Sequence, residues 1–375
     1  MYKFEVIDNK EQWSNILSSF KDIDCYYSFE YGELFANIEN GEIFAAYFVM
    51  EDTKIFYPFI KRKVPIAEDK AYDIVTPYGY GGPIIIGKNE GPVDKFFEVF
   101  SKYCNSKNII TETIRFHPLY KNHQLCMGYL DIEYIRKTTA VDLTQSLVTI
   151  RKKYSSSNKR NINKAVKNNL TCFGADNSLD NIKLFMDLYN ETMDRNNAAN
   201  YYYFTENYFL KQVKKTDICN TYLLFTELNN EIIAGVMVFI GEGFAHYHLG
   251  ASKTTFLDLK PNNLLFDFMI EFCKSKGANT LHLGGGYQEG DGLFRFKSSF
   301  TNQNNYEYYI GKKVHDFNKY HEIINNLSKH FIINDEYFPM YRGQMQRKYI
   351  HRVEKRGEMG EAREKDFFIS STFER

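Results

Sequence analysis

No two of the six cysteines form a CxxC pair; Cys25, Cys104, Cys126, Cys172, Cys219 and Cys273 stand singly along the chain. That argues against a zinc site or a disulfide framework and fits a reducing, cytoplasmic setting. No apolar run approaches the ~20 residues of a membrane span. The longest apolar-rich stretch, residues 232–240, reads as a buried strand. The opening residues, MYKFEVIDNKEQW, lack the apolar segment and cleavage site of a signal peptide. Net charge is missing too: 47 Lys and Arg balance 47 Asp and Glu. No global field therefore recruits nucleic acid or an anionic membrane, and any such partner has to meet a local patch. There is no G-x-S-x-G, no P-loop and no Rossmann G-x-G-x-x-G.

What is present is length and aromatic content. The 375 residues allow about two domains. With 43% hydrophobic and 25% charged residues the composition is that of an ordinary globular protein. The 29 Tyr and 32 Phe stand against one Trp. Codon bias in an AT-rich genome produces such a composition, and so do tyrosine platforms for sugar or peptide substrates. Composition does not separate the two.

In the first half, periodicity predicts a strand at 2–7, helices at 10–20 and 29–36, and a hairpin of strands 42–50 and 54–61. A helix at 94–104 and strands at 109–116 and 134–143 follow. Between them residues 72–86, YDIVTPYGYGGPIII, cannot form a regular element because of Pro77, Gly79, Gly81, Gly82 and Pro83. This loop reads as a structural corner or, through Tyr72, Tyr78 and Tyr80, as a substrate wall. Residues 147–168 then carry Arg151, Lys152, Lys153, Lys159, Arg160, Lys164 and Lys167 and no acid. Ser157 or Asn158 is the expected N-cap of the second of two helical pieces there. Such a run is either a solvated face or a seat for a phosphate-bearing partner.

The second half predicts helices at 179–196 and 206–214 and a meander of strands 221–227, 231–240 and 243–249. A helix at 262–276 starts behind Pro261, a sound helix start. The organising stretch is 281–300, LHLGGGYQEGDGLFRFKSSF. A buried strand opens into Gly284, Gly285 and Gly286, and the stretch closes on Leu293-Phe294-Arg295-Phe296-Lys297. A lysine among phenylalanines beyond a glycine run reads as the lip of a site; a tight turn before an amphipathic segment reads the same way. The order of elements repeats that of the first half, so the expected class is α/β, two copies of one layered plan. The expected units are 1–143 and 144–312, then C-terminal helices at 313–350 packing back on the first unit and a charged tail at 351–375.

Helix–helix, three-strand meander, helix, strand resembles an N-acetyltransferase (GNAT) fold, and two such units in tandem resemble the Fem family and the wider FemAB-like acyltransferases. The run Lys159-Arg160-Asn161-Ile162-Asn163-Lys164-Ala165 resembles the family's basic helix. Thr192-Met193-Asp194-Arg195 resembles its T-x-x-R helix end, and Tyr247-His248-Leu249-Gly250-Ala251 its central strand. Gly292–Phe300 resembles its GL-x-x-FK-x-x-F motif, and the loop 73–83 a motif of the first unit. The resemblance implies two tandem GNAT-like units, each a mixed, mostly antiparallel sheet flanked by helices. It also implies transfer of an aminoacyl group from aminoacyl-tRNA to a peptidoglycan or other cell-envelope precursor, lipid-linked or not, without a bound cofactor. Lys297 and Phe296 would then be catalytic, Arg195, Tyr247, His248, Tyr78 and Tyr80 would hold substrate, and Lys159, Arg160 and Lys164 would hold the donor.

The chemistry fits those residue types. Acyl transfer needs preorganised donors for an oxyanion, and a dehydrated Lys297 supplies charge there. Its alternative reading is a lysine snorkelling from an amphipathic segment. The nucleophile would be a substrate amine, with Asp291 or Glu289 the available bases. Arg195 reads as a clamp for phosphate or carboxylate, or as a charge on a helix C-terminus. Acyl-CoA is the alternative donor, acting on an amino sugar or envelope glycan. Against it, residues 252–265 contain no glycine to cradle a pyrophosphate, and Pro261 removes an N–H donor. His246 and His248, two apart on one strand, face the same side, but no third metal ligand is spaced for them. A non-catalytic glycan- or RNA-binding protein is the remaining class.

Overall fold

The computed structural model describes residues 1–65, 70–87 and 90–347. The expected charged tail, 351–375, lies outside the described residues. Strand β1 (Tyr2–Ile7) leads into helices α1 (Lys10–Leu17) and α2 (Phe29–Ile38), then the hairpin β2 (Gly41–Met50) and β3 (Thr53–Lys63). Short strands β4 (Tyr72–Val75) and β5 (Ile84–Ile86) flank the aromatic–glycine loop. Helix α3 (Glu90–Ser106), β6 (Ile109–Arg115) and β7 (Asp131–Asp142) complete the first half. The second half runs α4 (Leu147–Lys152), α5 (Ser156–Lys167), β8 (Thr171–Ala175), α6 (Leu179–Arg195) and α7 (Glu206–Gln212). It continues with β9 (Cys219–Leu228), β10 (Glu231–Gly241), β11 (Phe244–Ser252), α8 (Pro261–Ser275), β12 (Thr280–Gly284), α9 (Gly292–Ser298) and β13 (Asn305–Val314), and α10 (Phe317–Ser328) follows.

Helix starts follow local chemistry. Asn9, Ser28, Ser146, Ser178, Thr205, Asp291 and Asp316 each accept a backbone N–H of the first turn that has no helical partner. The cap of α5 is Ser155, which accepts from Asn158 N at 3.1 Å. It stands two residues before the expected Ser157, because Ser156 and Ser157 are already helical.

Among the described residues, thirteen strands join in one sheet of order β1-β2-β3-β4-β6-β13-β7-β12-β11-β10-β9-β8, with β5 on β3. Pairing is antiparallel except at β4·β6 and β11·β12, which sit at corresponding places in the two halves. The halves exchange their last strands. β13 pairs with β6 through Ile310↔Arg115, and β7 pairs with β12 through Leu281↔Val141. Strand β8 extends the expected meander; as an exposed edge with a glycine it has little apolar alternation to announce it.

Both faces of the sheet are buried, and the alternation of side chains sorts the cores. Ala45 and Tyr47 face a core shared by α1, α2, α6 and α7, with Trp13, Phe35, Phe185 and Phe209 in it. Ala46 and Phe48 face α3. Val236 and Val238 face α8, whose Leu265, Phe266 and Met269 pack there. Helix α10 and Tyr341 pack on Val64, Ala71 and Ile110 of the first half. Among the described residues, no helix is long and apolar enough to cross a membrane.

Candidate active site

Strands β11 and β12 pair in parallel only from Phe244↔Thr280 to His246↔His282. Beyond that point β11 carries a bulge. Leu249 stays opposite Met237 and Tyr247 opposite Val238, so His248 is the extra residue. A bulge bends its strand and re-aims side chains. Here it keeps His246 and His248 on one face and puts Leu249 and Ala251 on that same face. The two strands part, and a cavity of about 280 Å³ opens between them, continuing into a hollow of about 930 Å³.

Lys297, in the last turn of α9, reaches into this cavity although its side chain is only 6% exposed. Its Nζ donates to Gly285 O at 2.7 Å and lies 5.0 Å from the centre of the Tyr247 ring. Burial, with Arg136 adding to it against Asp291, brings its pKa down to about 7. Tyr247 rests on Phe266. His248 lines the cavity with Nε2 2.7 Å from Tyr208 Oη and its ring stacked on Phe239. Burial and His246 push its pKa down to about 3, so the ring is neutral at physiological pH. From the first half the loop brings Tyr78, stacked on Phe35, and Tyr80, whose ring meets His282 at 5.0 Å and Tyr308 at 5.6 Å. Five expected site residues, Tyr78, Tyr80, Tyr247, His248 and Lys297, thus share one cavity.

Others are elsewhere. Phe296 packs on Phe266 and Phe300 in the core behind α9. Consecutive helical residues point about 100° apart, so it cannot share the cavity with Lys297. Arg195 donates from Nη1 to Ser252 O (2.8 Å) and Thr254 Oγ1 (2.9 Å); it braces the segment after β11 and does not line the cavity. Tyr72 lies at the start of β4 beneath Lys61. Lys159, Arg160 and Lys164 are exposed on the outside of α5. Arg151, in the same basic run, is tied to Asp267 and Glu271 of α8. The two candidate bases are occupied. Asp291 accepts from the amides of Tyr287, Gln288 and Phe294, which hold its pKa down against burial. Glu289 accepts from Tyr134 Oη and Lys137 N.

The cavity also holds residues with no sequence signal: Arg115, Arg136, Tyr308 and Lys312 from the central strands, and the segment Glu336-Tyr337-Phe338. Arg136 donates to Gly286 O at 2.9 Å and so pins the glycine loop. Glu133 pairs with Lys312, and the balance around Lys297 is cationic.

Behind the wall lies a buried knot that short-range spacing did not reveal. Asp24 Oδ2 is 2.9 Å from His117 Nε2 and 2.6 Å from His246 Nε2. The three donor atoms lie within 4.8 Å of one another, a spacing that fits a metal ion. The Tyr120 amide donates to His117 Nδ1 at 3.3 Å, which leaves the proton on Nε2 and makes that ring a donor to the carboxylate. A metal on Nε2 would break this bond, so the geometry is that of an anion held by imidazoles. The two histidines outweigh burial and keep the pKa of Asp24 well below its ordinary value.

Residues 153–298 match the sequence family described as the acetyltransferase (GNAT) domain. That stretch is a GNAT acyltransferase domain, and the chain as a whole takes a Fem-like fold. FemX superposes with a TM-score of 0.61 at 13% identity, over 83% of this chain and 97% of FemX. A conserved protein of unknown function from Bacteroides thetaiotaomicron gives 0.54 at 13%, over 83% of this chain and 99% of that one. L-PGS from Bacillus licheniformis gives 0.51 at 12%, over 85% and 96%. At such identities the likeness establishes the fold. Compared by sequence with curated proteins, the chain matches none significantly. In this GNAT fold the cavity sits where β11 and β12 part, with Lys297 as its buried cation.

Proposed function

We propose that the chain transfers an aminoacyl group from aminoacyl-tRNA to an amine of a peptidoglycan or other cell-envelope precursor. The observation that carries this reading is the outer face of α5. Lys159, Arg160, Lys164 and Lys167 are exposed there, with no acidic partner in ion-pair reach among the described residues. The helix begins beside the site, since Ser155 N donates to Ser299 O just beyond Lys297. A polyanionic donor held on that face would have a short route for its acylated end to the cleft. The acceptor amine attacks the acyl carbonyl, Lys297 stabilises the charge that develops on oxygen, and the amine's proton ends on the leaving hydroxyl. The donor carries its own activated group, so the scheme needs no resident cofactor.

Acyl-CoA is the second reading, favoured by the match to an acetyltransferase domain. Against it, the Thr254 amide in the corresponding loop is taken by Glu191 at 2.7 Å, and α8 starts at Pro261. The test is a parallel titration with charged bulk tRNA and acetyl-CoA at two salt concentrations. The expected result is saturable tRNA binding that weakens with salt. In the Arg160→Ala/Lys164→Ala variant, the log–log salt slope should shrink by roughly 0.7–0.9 for each phosphate no longer neutralised. Binding of acetyl-CoA without tRNA would overturn the reading and move the acceptor search to amino sugars.

A further inference from the structure

We infer that Tyr80 is a second catalytic donor, and that its hydroxyl and the Lys297 ammonium together hold the oxyanion of acyl transfer against the bare Cα of Gly284. The inference rests on the acyl-transfer reading above and adds a residue from the opposite half of the molecule.

The geometry comes from one glycine. A Cβ placed on Gly284 would lie 3.5 Å from Lys297 Nζ and 3.6 Å from Tyr80 Oη; among the described residues, the glycine's chain neighbours aside, these are the two atoms that come within 4 Å. The ammonium and the phenol thus converge on the open side of Gly284, and an oxygen resting against its bare Cα there lies between the two. Catalytic hydrogen bonds are commonly long in the empty enzyme and tighten around the transition state. Gly284 has φ +75°, a conformation that L side chains rarely adopt, so the space stays open.

Both donors are fixed in advance, which is what oxyanion stabilisation requires. The Tyr80 ring is clamped edge-on by Tyr26, His282 and Tyr308. Burial pushes the pKa of its phenol far up, so the hydroxyl keeps its proton. Among the described residues it has no hydrogen-bond partner, and it lines the cavity. Lys297 is held by Gly285 O and the Tyr247 ring, and each leaves donors to spare.

The step balances. The amine nitrogen forms a bond to the carbonyl carbon, and the C=O π pair moves to oxygen. That oxygen accepts hydrogen bonds from Tyr80 Oη–H and Lys297 Nζ–H. Collapse restores C=O and breaks the bond to the leaving oxygen or sulfur. The leaving atom takes the proton given up by the amine, and neither donor residue is consumed.

The experiment uses Tyr80→Phe and Gly284→Ala, with thermal midpoints confirming that both fold. The first arm measures transfer to hydroxylamine from charged bulk tRNA and from acetyl-CoA. Tyr80→Phe should lower kcat roughly 100-fold, with the donor KM changed less than about twofold. Gly284→Ala, which keeps both donors but fills the gap, should be equally impaired. The second arm needs no turnover: methylphosphonate, a tetrahedral anion, is titrated calorimetrically and should bind wild type at least about fivefold more tightly than Tyr80→Phe. Near-normal kcat in Tyr80→Phe, or equal methylphosphonate affinity, overturns the inference. If wild type accepts acyl groups from neither donor, the proposed function fails, and the phosphonate arm still decides the oxyanion site.

Discussion

In the first half β4 and β6 run parallel and part beyond Val75; in the second, β11 and β12 run parallel and part beyond His246. The first gap is filled by the chain itself. Thr76 N and Gly81 N donate to Thr113 O and Arg115 O, and Asn122 Nδ2 donates to Gly81 O and Pro83 O, so the aromatic–glycine loop is stitched into the opening. The second gap is left open, floored by Gly284 and lined by Lys297. The same plan thus yields a plug in one place and a site in the other. What decides is whether the segment after the parting strand returns to the sheet. The plug is not idle, because its Tyr78 and Tyr80 form the far wall of the open gap.

The largest expected effect is on the open side. Lys297→Met should lower kcat about 10²–10³-fold, the usual cost of losing one oxyanion donor. The same change should stabilise the fold. Lys297 falls from an ordinary 10.5 to about 7 on burial, so the unfolded chain binds more protons between those values. The wild type is penalised fully below about pH 7, by up to about 5 kcal/mol, and the penalty fades as pH rises toward 10.5. Denaturant midpoints of the two proteins should converge over that range, and a constant gap would contradict a buried lysine. The wild-type kcat/KM should also fall as pH rises through about 7, where the cation is lost.

Next is a contrast between glycines. A Cβ at Gly79, in the plug, would meet the Tyr26 ring at 2.5 Å with φ +86°, whereas at Gly284 it meets nothing closer than 3.5 Å. Gly79→Ala should lose roughly 1–3 kcal/mol from backbone strain plus the cost of moving a packed ring. Gly284→Ala should lose the strain alone. Equal losses by chemical denaturation would mean that the first gap is no better filled than the second. The smallest effect is expected for Tyr247→Leu. It removes the ring near Lys297 Nζ, worth about 0.5–2 kcal/mol, and should appear as a modest fall in kcat/KM.

Much of this was legible in the chain. The hairpin β2–β3, the meander β9–β11 and the helix behind Pro261 follow from period and turn residues, and nearly all their bounds fall within a few positions of expectation. The place of Lys297 was legible from the glycine run and the phenylalanines around it, and those of Tyr247 and His248 from the resemblance of their strand to the family's. Arg115, Arg136, Tyr308 and Lys312 were not, because β6, β7 and β13 meet only through the strand exchange. The joining of Asp24 to His117 and His246 escaped because the pairs lie 93 and 222 residues apart in the chain. Arg195 misled because a guanidinium at a helix end looks alike whether it holds a ligand or a loop carbonyl. Phe296 misled because its adjacency to Lys297 in sequence places it on another side of the helix.

The exchanged strands bear on how the chain is made. During synthesis β6 emerges with one edge lacking its neighbour, since β13 follows nearly 200 residues later. An unpaired edge of that kind is a template for wrong partners. Such distant pairing also slows folding, because a long loop must close before the contact is gained. The central sheet, and with it the cleft, closes only when β13 arrives. A protein nicked between β7 and α4 would not separate into two working enzymes, since each fragment would hold the strand that finishes the other.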